Sequence, residues 1–453
     1  MSTEFDDNSD LVPSIKALHD RYVFILQECE KWNKIKPIVG LHRYTNSLVA
    51  EKQFLEKLLD NPALIKKEHV QSTNLGYLEP VYEALAAIEQ RDEVMQILGV
   101  PFPDDDTWMS QAAMIKRRSI KVDIVADNGL TWIKVIARNA KAFRHEVMGL
   151  EQQEEESDDD DDDDDDDLYA VKNDFDNLPI FKKAREYLAT AQAHHVHFRT
   201  PTVVFAFLRI RPDEDVFVQK IMDRLRDIGI VVYLYTLDSN LQSVCQPKCK
   251  DLTTEKVNLD VSSIFALISE LSHHPCPPDR VSALPIKVQA EREAVAPCLP
   301  QMKTLVKGKK LFMVTSAYER LKEIVQVVGG SNEQMRFKYL FRNALDSPDV
   351  AFDPELWTIL PSLEVQVIQD APIKDFFKLL EPPLQKSKLN NGRKIRTQFS
   401  EFHAVLFGSG GYYRMTTFTA IQWMEKALAD AGVLGNFTVC HEPRSLAEQK
   451  MLK

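Results

Sequence analysis

From Val12 to Val100 apolar residues recur at three- and four-residue spacings, Ile15, Leu18, Tyr22 and Ile25 first, then Phe54, Leu58 and Leu59. That period predicts helices with one buried face. Asn61-Pro62 and Gly76 read as breaks between them. The pattern then changes. Val122–Val125 and Trp132–Ile136 are β-rich runs on either side of Asp127-Asn128-Gly129, a strong hairpin signal. Thr202–Leu208 predicts a buried strand, Asp215–Ile228 an amphipathic helix and Ile230–Tyr235 another strand. Strand, helix, strand is the signature of parallel pairing.

The alternation continues to the end of the chain. Val257–Asp260 predicts a short strand, with Ile264, Leu267, Ile268 and Leu271 forming one helical face after it. Val288–Val306 reads as helix, Leu311–Val314 as strand, and Ala317–Val328 as helix closed by Gly329-Gly330. Gln334–Leu345 is helical, Val365–Ile368 a strand and Ile373–Leu380 a helix. His403–Phe407 then reads as a fourth strand, Thr416–Ala431 as helix and Phe437–Cys440 as a last strand. The fold class is therefore α/β: a C-terminal doubly wound, mostly parallel sheet with helices on both faces, preceded by a helical region and a smaller α/β region.

Charge sharpens the division. The formal net charge is −12, yet residues 154–167 alone hold thirteen acids interrupted only by Ser157. The remainder is thus close to neutral, and the acidity belongs to one tract that cannot bury enough apolar surface to order itself. It reads as a solvated spacer, and Ser157 before ten aspartates also suits an acid-directed kinase or a mimic of nucleic acid. The chain divides into a disordered 1–10, a helical region plus hairpin at 11–150, an acidic linker or loop at 151–168, an α/β segment at 169–250 completing the N-terminal domain, and an α/β domain at 251–453. Met1–Asp10 is polar and acidic, unlike a secretory leader. No apolar run approaches the roughly 18 residues of a spanning helix. Six cysteines without a dense framework read as reduced thiols. A cytoplasmic or nuclear protein, off the membrane, is expected.

Val70–Leu75, together with Val122–Val125 and Trp132–Lys134, resembles the N-terminal region of an uncharacterised, UPF-class eukaryotic family. Lys256–Asp260, followed by Ser262 and an apolar helix, resembles that family's C-terminal domain of unknown function 1308; Phe205–Phe207 and Phe407–Gly410 extend the likeness. Leu259-Asp260-Val261-Ser262 is also similar to the opening of PIN-like domains, where a strand ends in Leu-Asp before a small hydroxyl residue. That resemblance implies a metal-dependent nuclease plan, with three or four carboxylates at the C-terminal edge of the sheet holding Mg²⁺ or Mn²⁺. Asp260 matches in place and type, both as a catalytic carboxylate and as the metal ligand. Glu319, with Glu323 as a neighbour, matches the acid expected after the second strand, and Asp370 and Asp375 match the third. The fourth acid departs from the plan. Where PIN-like domains carry Thr-x-Asp, Ser409-Gly410-Gly411 puts a glycine at the acid's position.

Basic residues suited to phosphate contacts flank two of the predicted strands: Lys303, Lys307, Lys309 and Lys310, then Lys386, Lys388, Arg393, Lys394 and Arg396. Tyr412 and Tyr413 add rings on which bases could stack. Asp123 with Trp132-Ile133-Lys134 faintly echoes restriction-endonuclease sites, but Trp132 stands where their second acid is needed. Cys245, Cys249, His273, His274 and Cys276 fit no common zinc spacing. Two functions follow: a metal-dependent RNA phosphodiesterase, or a catalytically degenerate scaffold that binds RNA or a protein partner.

Overall fold

A computed structural model describes residues 11–101, 110–144, 178–235, 240–245, 251–344, 363–380, 399–430, 432, 433, 435 and 437–451. The acidic tract and the basic run from Lys386 to Arg396 lie outside them. The chain divides into two units. The first takes in residues 1–103, 112–194 and 200–250; the second 104–111, 195–199 and 251–453.

The first unit is built on a mixed five-stranded sheet in sequential order: β1 (Arg91–Gly99), β2 (Ser119–Ala126), β3 (Thr131–Ile136), β4 (Thr202–Phe207) and β5 (Val231–Leu234). β1, β2 and β3 form an antiparallel meander, and β4 joins β3, and β5 joins β4, in parallel. The turn between β2 and β3 is the predicted one: Asp127 and Asn128 both sit at φ 57°, the left-handed backbone that Asn and Asp tolerate best. Long helices Val12–Ile35 and Leu41–Asp60 cover one face, packing Tyr22, Tyr44 and Leu48 on Val94, Ile124 and Ile133. Helices Pro179–Ala193 and Val216–Asp227 cover the other with Phe181, Tyr187 and Ile221 against Phe205 and Phe207.

Two expectations fail here. β1 falls inside the stretch read as helical, because Val94, Ile97 and Leu98 stand at helical spacing. The strand breaks strict alternation with a register shift between Arg91 and Glu93, so it hides its period of two. Gly76 is no break; it lies within the helix Leu75–Ala86.

The second unit carries β6 (Lys256–Leu259), β7 (Lys310–Val314), β8 (Val365–Ile368), β9 (Thr416–Thr419) and β10 (Thr438–Cys440) in the order β10-β9-β6-β7-β8, all parallel. The chain starts in the centre, winds out one way through β7 and β8, then returns to the other side of β6. The crevice at such a reversal, beyond the carboxyl ends of the strands, is where open α/β sheets bind ligands. Glu333 is fully buried, and its carboxylate accepts from the backbone N–H groups of Gly330, Glu270 and Ala447 at 3.1, 3.0 and 2.8 Å. It thereby ties the last segment of the chain to the middle of the unit.

The predicted alternation is right in kind but wrong at its fourth repeat. His403–Phe407 belongs to a helix, Glu401–Tyr412, and the segment expected to be helical opens instead with β9, followed by the helix Met424–Asp430. A short apolar run cannot tell a buried helix from a buried strand, and this helix buries Ala404, Leu406, Phe407, Gly408, Ser409 and Gly410. Its glycines serve close packing. A Cβ on Gly410 would stand 2.4 Å from Thr417 Oγ1, and one on Gly408 3.1 Å from the backbone nitrogen of Ile373. The predicted helix Val288–Val306 is two, Leu284–Val295 and Cys298–Val306, parted at Ala296-Pro297.

Candidate functional site

Asp260 follows β6 directly at the strand-order reversal and is 3% exposed. Three neutral donors hold its carboxylate. Oδ1 accepts from the Ser263 backbone N–H at 2.7 Å, capping the helix Val261–Ile268, and from Ser262 Oγ at 2.6 Å. Oδ2 accepts from Thr419 Oγ1 at 2.6 Å. Ser262 Oγ in turn accepts from the N–H of Ala420 at 2.8 Å. Capping and strand-to-strand bracing thus use most of the carboxylate's acceptor capacity. Ser263 and His441 extend the network inward: Ser263 Oγ lies 2.8 Å from His441 Nε2 and 2.7 Å from the carbonyl of Phe418. Burial pushes the His441 imidazole below its ordinary pKa.

The corrected strand assignment relocates the missing acid. The fourth strand of this unit is β9, so the hydroxyl at its end is Thr419 and the position two residues on is Ile421, while Gly411 belongs to the preceding helix. An apolar side chain therefore stands where Thr-x-Asp would place its carboxylate.

The other candidate acids are exposed, unlike Asp260. Asp370 is exposed just past β8, two strands away from β6, roughly 10 Å by strand spacing alone. It accepts from Ser316 N–H at 3.1 Å and from Ser316 Oγ, so it caps the helix Thr315–Val328 rather than the helix after its own strand. Glu319 is exposed on that same helix, and Asp375 is exposed in the first turn of Lys374–Lys378. Among the described residues no three His, Cys, Asp or Glu side chains are placed to share a metal ion.

Lys309 and Lys310 stand at the start of β7, the edge of the sheet opposite Asp260. They are tied to acids there: Lys309 to Asp251 at 2.5 Å and Lys310 to Glu255 at 2.7 Å. Tyr412 is 62% exposed and meets Tyr413 edge-on at 5.1 Å. Lys386, Lys388, Arg393, Lys394 and Arg396 lie outside the described residues.

A group of side chains that sequence reasoning passed over lies near Asp260. His403 lies against Phe399 with ring centroids 5.8 Å apart, against Phe402 at 6.0 Å and Trp423 at 6.3 Å. The exposed Arg320 places its guanidinium 4.5 Å from the Phe402 centroid. Burial lowers the His403 pKa, with the Arg320 charge adding to it and Asp260 opposing it. Reading the segment around His403 as a strand hid this group; the helix Glu401–Tyr412 carries Phe402 and His403 in its first turn, just after Phe399.

Residues 257–370 match the family described as a protein of unknown function, DUF1308, and residues 19–158 match a second family of unknown function, DUF5614. No solved structure matches the chain. No helix among the described residues is long and apolar enough to cross a membrane.

Proposed function

We propose that the C-terminal unit is a PIN-like domain without hydrolytic chemistry, which serves as a binding scaffold for single-stranded RNA. The partly exposed aromatic group Phe402, His403 and Trp423 beside the exposed Arg320 carries this reading. Bases of any sequence stack on such rings, and a guanidinium adds cation–π attraction and a phosphate contact. The strand order and the Leu259-Asp260 opening support the PIN-like part. The Asp260 carboxylate, with most of its acceptor capacity in use, and the apolar Ile421 argue against the nuclease alternative.

The test is fluorescence anisotropy with a labelled 12-mer of oligo(U) and full-length protein, alongside a cleavage assay with Mn²⁺. Binding that weakens about tenfold in Arg320→Ala and in Trp423→Ala, with no cleavage, is the expected result. Metal-dependent cleavage lost in Asp260→Asn would instead establish the enzyme. Absence of binding by wild type would remove RNA as the ligand.

A further inference from the structure

The histidine of the aromatic group carries a proton whose place the fold dictates. Ser400 is the N-cap of the helix Glu401–Tyr412 and His403 its third residue, and the two close a capping box. The usual third residue is Glu or Gln, whose side-chain oxygen accepts from the N-cap backbone N–H. Here the imidazole takes that part. The Ser400 backbone N–H donates to His403 Nδ1 at 3.1 Å, and Ser400 Oγ lies 3.0 Å from the same nitrogen. Nδ1 is therefore the acceptor of the ring, and a neutral imidazole then holds its proton on Nε2. Protonating Nδ1 as well would set it against the Ser400 N–H. The helix cap thus keeps the ring neutral and in one tautomer.

His403 is partly exposed, and its Nε2 donates to no described residue. Trp423 is partly exposed too, with its ring centroid 6.3 Å from that of His403. Its indole N–H can only donate, and among the described residues it meets no acceptor. Phe402 brings a ring without a polar atom. The polar atoms that the rings of this group leave open are therefore both donors. The rings of Phe402 and His403 meet at 67°, and those of His403 and Trp423 at 76°. A flat base stacked on one of them consequently has a neighbouring ring standing across its edge.

We infer that this group selects uridine from single-stranded RNA, with His403 Nε2–H and Trp423 Nε1–H as the donors that read the base. This selectivity rests on the RNA-binding role of the same group and adds the base it takes. Unpaired bases are recognised by stacking on rings and by hydrogen bonds to their edges. Uracil is the RNA base whose exocyclic groups, O2 and O4, are both acceptors. Cytosine, adenine and guanine each carry an amine. An amine brought against either N–H leaves two donors opposed and unpaired, which costs more than a missing contact. A histidine free to exchange its tautomer would accept from that amine instead; the bond from Ser400 removes the choice.

Fluorescence anisotropy of the full-length protein at pH 7.5 with labelled 12-mers of oligo(U), oligo(C) and oligo(A) tests it. Oligo(U) is expected to bind about fivefold tighter than either of the others, or better. His403→Phe keeps a ring and removes the donor; it should bring oligo(U) down to the affinity of oligo(C) and change oligo(C) less than about twofold. Trp423→Phe should narrow the preference about two- to threefold. Thermal melts confirm that the variants fold, and the comparison of the three oligonucleotides on wild type needs no variant. Arg320→Ala should weaken all three alike, because a guanidinium contact to phosphate favours no base. Equal affinity of wild type for the three, or a preference for oligo(U) that survives both ring variants, overturns the inference and leaves RNA binding standing. Absence of binding to all three removes RNA as the ligand and uridine selection with it.

Discussion

Asp260 of the second unit and Asp123 of the first are both buried, and the two are satisfied by opposite means. Asp260 meets two hydroxyls and a backbone N–H, all neutral. Asp123 meets the Tyr77 phenol, the Val135 backbone N–H and the Lys134 ammonium. Neutral donors let a carboxylate cap a helix and brace two strands without calling for anything beyond the fold. A buried cation is different, since an ion pair removed from water gains little over well-packed apolar residues and is costly when broken. The contrast teaches that a carboxylate at the expected edge of an α/β sheet is not itself a reactive centre; what surrounds it decides.

The sharpest way to break the comparison is to remove each carboxylate. Asp123→Ala leaves a largely buried ammonium, a phenol and an N–H without their acceptor, and should cost about 3–5 kcal/mol, read as a lowered urea midpoint. Asp260→Ala should cost less, about 1–2 kcal/mol, because only a cap and hydroxyl bonds are lost. Equal losses would mean that the charge on Lys134 makes no difference.

Acid should act on the second unit, at intermediate size. Burial holds the imidazoles of His197 and His273 down to about 4, both below their ordinary 6.5. His273 Nε2 donates to the carbonyl of Leu267 while its Nδ1 has no partner, as expected of a neutral ring. A histidine whose folded pKa is depressed stabilises the fold above its unfolded pKa. That contribution is lost as pH falls from 6.5 towards 4, because the unfolded chain takes the proton first. Each histidine should cost about 1.4 kcal/mol per pH unit in that window. Melting temperatures at pH 7.5 and 5.0 would show it, and His273→Gln should flatten the slope.

Two glycines give a smaller contrast. Gly410→Ala drives a Cβ against Thr417 and Asn258 and should destabilise by about 1–3 kcal/mol. Gly76→Ala meets nothing within 4 Å inside its helix and should stabilise by up to about 1 kcal/mol. Thermal denaturation of both variants checks the pair.

Much of the fold was legible. Asp127-Asn128-Gly129 announces its hairpin because few residues accept left-handed backbone, and Asp215 caps its helix as its type suggests. The strand expected at Val257–Asp260 is there as Lys256–Leu259, with Asp260 as the cap of the helix after it. The failure at the fourth repeat has one cause: burial on most sides erases period. Glu401–Tyr412 is apolar and glycine-rich all round, and only its packing on β6 and β9 makes it a helix. That error hid Thr419, since a threonine inside a supposed helix gives no sign of bracing an aspartate 159 residues earlier. Asp123 and Lys134 were visible as a pair, but not Tyr77, whose hydroxyl reaches the carboxylate from a helix well before it in the chain.

The strand order of the second unit has a bearing on synthesis. β6 is the first strand made but the central one of its sheet, and one of its two edges stays open until β9 emerges more than 150 residues later. Closing so long a loop is slow, and an open central strand is a template for wrong pairing. The nascent chain must therefore keep β6 from other strands while it waits, and Asp260 cannot acquire its Thr419 bond until 159 further residues have been made.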